Sequence, residues 1–124
     1  MIKMVVCSFY NTLINDEEAI PTSTMLEIER LKKKGIIFAI CTNDLYQEVL
    51  DYNRDFPFID YIISLNGSYV YDVERKRCLF KSKLSLPNLK KIKEYFEPEK
   101  TMYYTDNSFS QTITDDIQNI YKVE

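Results

Sequence analysis

Between residues 3 and 67 the sequence alternates between two periods, and that alternation restricts the chain to a narrow class of folds. KMVVCSF (3–9), IIFAICT (36–42) and YIISLNG (61–67) are apolar runs of strand length, as expected for strands buried on both sides of a parallel sheet. The first intervening stretch, IPTSTMLEIERLKKKG (20–35), places Met25, Ile28 and Leu31 at helical spacing, with Thr22 or Ser23 as cap and Gly35 as stop. The second, NDLYQEVLDYNRDF (43–56), offers Asn43 or Asp44 as cap and puts Leu45, Val49 and Tyr52 on one face. Asp44 reads more simply as a first-turn acid favoured by the helix dipole than as a ligand-binding group. The unit is β-α-β-α-β. Such crossovers are right-handed, so the three strands should lie parallel with their C-terminal ends along one rim.

Beyond Gly67, SYVYD (68–72) and RCLFKSK (77–83) predict a β-hairpin across the charged turn 73–76. LPNLKKIKEYF (86–96) predicts a short helix with Pro87 in its first turn and an apolar stripe of Leu89, Ile92 and Phe96. TMYYT (101–105) reads as a strand and TDDIQNIYKV (114–123) as a helix capped by Thr114. The acids of YTDNSFSQTITDD (104–116) lack the glycine and closing glutamate of a calcium loop, so that stretch reads as a solvated loop. The expected class is α/β: a three-stranded parallel Rossmann-like sheet with flanking helices, a β-hairpin, and a short α/β C-terminal extension.

With 124 residues, 45% of them hydrophobic, one core and one domain over 1–124 are expected. A net charge of −3 and a pI near 5.1 give no reason to expect nucleic acid. The one basic cluster, Lys32, Lys33 and Lys34, ends a helical pattern, where positive charge complements the dipole. No segment approaches the roughly 18–20 apolar residues that span a bilayer, so no membrane association and a cytoplasmic location are expected. Cys7, Cys41 and Cys78 lack paired spacing and read as reduced thiols. The sequence has no histidine, which removes Ser-His and Cys-His catalysis and the commonest zinc ligand. Most of its tyrosines sit in strand-like runs, where sheet propensity accounts for them.

Three pieces carry a resemblance: SFYNTL (8–13) after the first strand, Thr42 ending the second in AICTND, and SLNGSYVYD (64–72) leading into the hairpin. In order and spacing they resemble the haloacid dehalogenase-like (HAD) phosphatase superfamily, and most nearly the N-terminal half of its Cof-type sugar-phosphate phosphatases. The likeness runs over 1–84. Residues 85–124 resemble only the opening of the family's cap domain, so the domain divides into an HAD-like core half and a cap-like extension.

The resemblance implies a DxDGT motif at 8–12, whose first aspartate attacks phosphate and whose second is general acid and base. This chain has Ser8 and Tyr10 at those positions. A serine hydroxyl is a poor nucleophile without an adjacent base, and a phenol with a pKa of about 10 is a scarce base at neutral pH. The family's Mg²⁺ takes carboxylates from this motif and from a later acidic one. Ser8 supplies none, and neither the later motif nor its accompanying lysine has a counterpart in these residues, so no metal or cofactor is expected. The family also continues its second motif with Gly-Arg, where this chain has Asn43-Asp44. What remains is architectural: Asn11 replaces the motif's glycine with the residue that best tolerates left-handed backbone, and Thr12 and Leu13 are kept.

The expected function is therefore that of a catalytically inactive HAD-like protein acting through protein association. The alternative is a module, or a very weak phosphatase, that binds a phosphorylated small molecule with Ser8, Asn11, Thr12, Thr42 and Asn43. Against it stands the plainer reading in which these side chains cap elements and bond one another; a third reading is the product of a decayed or split gene. In the family the first strand lies mid-sheet, whereas here residues 3–9 become an apolar edge. Either residues 101–124 fold back over that edge or a second copy pairs with it, and a homodimer through the first strand is the expected solution.

Overall fold

The computed structural model describes residues 1–54, 57–111 and 119–124. β1 (Met4–Ser8) runs parallel to β2 (Ile37–Cys41), and β2 runs parallel to β3 (Tyr61–Ser64). The crossovers carry α1 (Thr22–Lys33) and α2 (Tyr46–Asn53). The hairpin of β4 (Tyr69–Asp72) and β5 (Arg77–Lys81) joins the same sheet antiparallel, so the expected three-stranded sheet is the parallel part of a mixed five-stranded one ordered β1-β2-β3-β4-β5. The turn explains this. Leu65, Asn66 and Gly67 all take positive φ (51°, 57° and 89°), reversing the chain so that Ser64 pairs with Tyr69.

Helix ends differ from the sequence reading in their caps. Gly35, at φ 68°, follows the end of α1 as expected. Its N-cap, however, is Pro21, and neither Thr22 nor Ser23 caps it, since both already lie in the first turn. α2 starts at Tyr46 with Leu45 in the cap position and no side-chain cap. Asn43 and Asp44 stay outside because Thr42 Oγ1 donates to Asp44 Oδ2 at 2.7 Å, which holds that segment in a local turn.

β2 and β3 step away from β1 in the same direction. Two right-handed crossovers that step the same way must pass over the same face. On that face Phe38, Ile40 and Ile62 meet Ile28 of α1, Val49 of α2, and Phe9 and Leu13 from the loop after β1, with Val5 and Cys7 packed at the margin. On the other face register aligns Ser8, Cys41, Ile63, Val70 and Phe80 in one row. None of these, nor Met4, Val6 or Ile37, enters a core cluster. Met4, Val6 and Phe80 are 45%, 51% and 53% exposed. The expectation that the first strand is buried on both sides is thus corrected: β1 alternates between exposed and half-buried residues because one side carries no helix among the described residues.

In the C-terminal part, Ser85 Oγ caps α3 (Leu86–Tyr95) by accepting from the Asn88 N–H, and Leu89 is buried. Phe96 leaves the expected stripe: its backbone is extended and its ring exposed. β6 (Tyr103–Tyr104) lies between β7 (Phe109–Ser110) and β8 (Lys122–Val123) in an antiparallel sheet. β7 falls in a stretch read as loop. Of the helix expected over 114–123, residues 114–118 lie outside the described residues, and Lys122 and Val123 are strand instead, because they pair with Tyr104 and Tyr103. Tyr121 packs on Leu45, Leu65 and Tyr69, and Ile120 on Leu89 and Tyr103. The described part of this segment therefore docks beside β3 and β4, and β1 remains the sheet edge.

Candidate functional site

The parallel strands end on one rim, where ligands of open α/β sheets bind. Ser8 closes β1 there, exposed, and its hydroxyl has no partner among the described residues. The loop that follows is anchored by buried Phe9 and Leu13. The Phe9 ring stands edge-on to Tyr10 and Tyr52, each at 5.0 Å. Asn11 adopts φ 57° and ψ 14°, the left-handed conformation expected of a glycine replacement, and Asn11 and Thr12 are exposed.

Two hydroxyls on this rim are turned toward carboxylates. Tyr10 Oη donates to Glu48 Oε2 at 3.4 Å, a long bond. Partial burial first, then the charges of Glu48 and Asp44, push the phenol up to about 12, so it is neither a base nor a ready acid at neutral pH. Glu48 is itself raised, by burial and then by Asp44, with the Tyr10 bond opposing. Thr42 is buried, and its Oγ1 is spent on Asp44: it donates to Oδ2 and accepts from the Asp44 N–H at 3.2 Å. Asn43 is exposed.

The nearby cation is committed as well. Lys122 is 7% exposed; its Nζ donates to the Asn43 carbonyl at 3.2 Å and to Glu124 Oε2 at 2.9 Å, and lies 4.4 Å from the Tyr104 ring centre. Lys122, with a hydrogen bond from Tyr104 Oη, holds the Glu124 carboxyl below its ordinary range.

Of the residues picked from sequence, the fold brings Ser8, Asn11, Thr12, Thr42 and Asn43 to one end of the sheet, and of their side chains it is Thr42 that is committed within the chain, to Asp44. Sequence reasoning missed Glu48, Lys122 and the Thr42–Asp44 pair. Glu48 had a signal, standing four residues after Asp44 in a helical stretch. Lys122 had none, since 79 residues separate it from Asn43.

The residues present do not fit the family's Mg²⁺. The first strand offers a neutral hydroxyl, Asp44 and Glu48 are engaged by Thr42 and Tyr10, and no group of three or more acidic, thiol or imidazole ligands converges among the described residues.

A profile of the haloacid dehalogenase-like hydrolases matches residues 5–122. The chain belongs to that family. Among solved structures, a haloacid dehalogenase-like hydrolase from B. subtilis superposes with a TM-score of 0.78 at 17% identity, covering 87% of this chain and 38% of its own. A HAD subclass IIB sugar phosphatase gives 0.74 at 22% identity, covering 86% and 42%. A protein from Geobacillus kaustophilus gives 0.70 at 25%, covering 88% and 42%. No curated protein matches the sequence. This HAD-like chain thus spans about two fifths of the length of those structures, and no helix among its described residues is long and apolar enough to cross a membrane.

Proposed function

We propose that this HAD-like chain is catalytically inactive and works through protein association, pairing with a second copy at its first strand. One observation carries the reading of inactivity: the rim's hydroxyls, Ser8, Tyr10, Thr12 and Thr42, stand where relatives would meet phosphate, and two of them, Tyr10 and Thr42, are donated to Glu48 and Asp44. These carboxylates repel an approaching phosphate, and a phenol at about 12 cannot take a proton from water at neutral pH. A serine with no adjacent base forms no phosphoenzyme at a useful rate. Association is supported by the position of β1 at the sheet edge, with Met4 and Val6 exposed.

The test of inactivity is hydrolysis of p-nitrophenyl phosphate and a panel of sugar phosphates with and without Mg²⁺. No turnover above background is expected. Turnover that needs Mg²⁺ and disappears in Ser8→Ala would overturn the reading. Ser8→Asp with Tyr10→Asp should restore little, because two carboxylates do not supply the positive charge that stabilises a phosphoryl transition state.

A further inference from the structure

The flank of α2 and the helix side of the hairpin enclose a trough that the rim does not share. α2 packs on β3, and the hairpin carries the sheet beyond it. Gln47, Leu50, Asp51 and Arg54, at helical spacing, line one side, and Tyr71, Val73 and Lys76 line the other, around a cavity of about 650 Å³. That volume lies within the roughly 300–1,000 Å³ of small-molecule sites. Both sides come from residues 47–76, so consecutive elements of this chain build the trough. Asp72 pairs with Tyr61, the first residue of β3, so the hairpin turn lies at the end of the sheet away from Ser8 and Thr42.

The trough is apolar in the middle and polar at its ends. Leu50 and Val73 pack at the margin of the core. The Tyr71 ring is held by stacking on Tyr46 of α2, with 4.4 Å between centres and 23° between planes. At one end, Gln47 Nε2 donates to the Asp106 carbonyl at 3.3 Å, while its Oε1 is buried without a partner, the one such side-chain atom among the described residues. An orphaned buried acceptor is costly, and a donor brought by a ligand removes that cost. At the other end, Arg54 is paired with Asp51, whereas Lys76 has no partner among the described residues. Lys76 also takes φ 50°, a left-handed conformation that is strained for a lysine and of a kind that clusters at ligand clamps.

We propose that this trough binds a small aromatic carboxylate, its ring against Tyr71 between Leu50 and Val73, its carboxylate on Lys76 and a hydroxyl donating to Gln47 Oε1. From Gln47 to Arg54 the helix rises about 10 Å, the length of two fused rings with a polar group at each end. One unmatched cation suits a single negative charge; a phosphate dianion would bring surplus charge beside Asp51.

The probe is 6-hydroxy-2-naphthoate, titrated into the 124-residue chain, which lacks tryptophan and so leaves the probe's fluorescence readable. Saturable binding is expected, with a dissociation constant below about 1 mM. Lys76→Gly removes the charge and fits φ 50° without strain, so the turn survives. Binding should weaken at least about tenfold in this variant and for the uncharged methyl ester of the probe, and Lys76→Arg should keep it. In two-dimensional amide NMR the probe should shift Leu50 and Val73. The proposal would be overturned by no saturable binding below about 5 mM, by equal binding to wild type and Lys76→Gly, by equal binding of probe and ester, or by shifts centred on Ser8 and Thr42 instead.

Discussion

The two faces of the main sheet are built from neighbouring residues of the same strands, yet they are in opposite situations. Ile62 is fully buried under the helices, while Ile63, the next residue on β3, enters no core cluster. The same contrast holds along β1 between Val5 and Val6. Apolar residues thus fill both sides of the strands, but among the described residues only one side has a core. The lesson is that an apolar run records what a strand is suited to, whereas the direction of the crossovers decides which side is covered.

Adjacent substitutions on β3 give the largest test of this contrast. Ile62→Ala should cost about 3 kcal/mol, the middle of the range for deleting a buried aliphatic side chain. Ile63→Ala, measured by urea denaturation at high dilution, should cost under about 1 kcal/mol, since little packing is lost. Equal costs at dilution would mean that both faces are packed and the comparison fails.

A polar support of the covered side comes next. Asn53 is buried, and its Oδ1 accepts from the Phe58 and Ile59 N–H groups at 2.9 and 3.1 Å, fixing the approach of the chain to β3. Asn53→Ala should destabilise by about 2 kcal/mol, because two donors are left unsatisfied. A chemical-denaturation midpoint unmoved by this change would show that the covered side does not depend on that anchor.

Acid pH probes the uncovered side. The Asp72 carboxyl is held below its ordinary range, first by the Arg75 backbone N–H at 2.9 Å and then by the Arg75 side chain. A depressed folded pKa gives stability that is present above the unfolded value, about 3.9, and is lost as pH falls through the folded one. Wild type should therefore lose stability below about pH 4 more steeply than Asp72→Asn. Parallel pH profiles would mean that this turn does not hold the hairpin's end of the face.

The smallest expected effect lies at the rim where the two faces meet. Inorganic phosphate or a sugar phosphate should leave the melting temperature unchanged, since the Thr42 hydroxyl is donated to Asp44 and Glu48 stands beside Tyr10. A bound ligand would instead add about 2.7 kcal/mol at a hundred times its dissociation constant. A shift of that kind, abolished by Thr42→Val, would restore the phosphate-binding reading.

Much of the fold was written in local sequence. Apolar runs and helical spacing marked β1 to β3, α1 and α2; Gly35 marked the end of α1; Asn11 marked a left-handed backbone position. These are properties of a few consecutive residues, since period, turn chemistry and φ preference act over that range. Tertiary structure decided the rest. It drew the hairpin into the main sheet, put both helices on one face, and moved the start of α2 past the Thr42–Asp44 bond. It also set Glu48 beside Tyr10 across 38 residues and Lys122 beside Asn43 across 79. Such pairings depend on strand order and crossover hand, which bring distant side chains together without leaving a mark in the residues on either side of them.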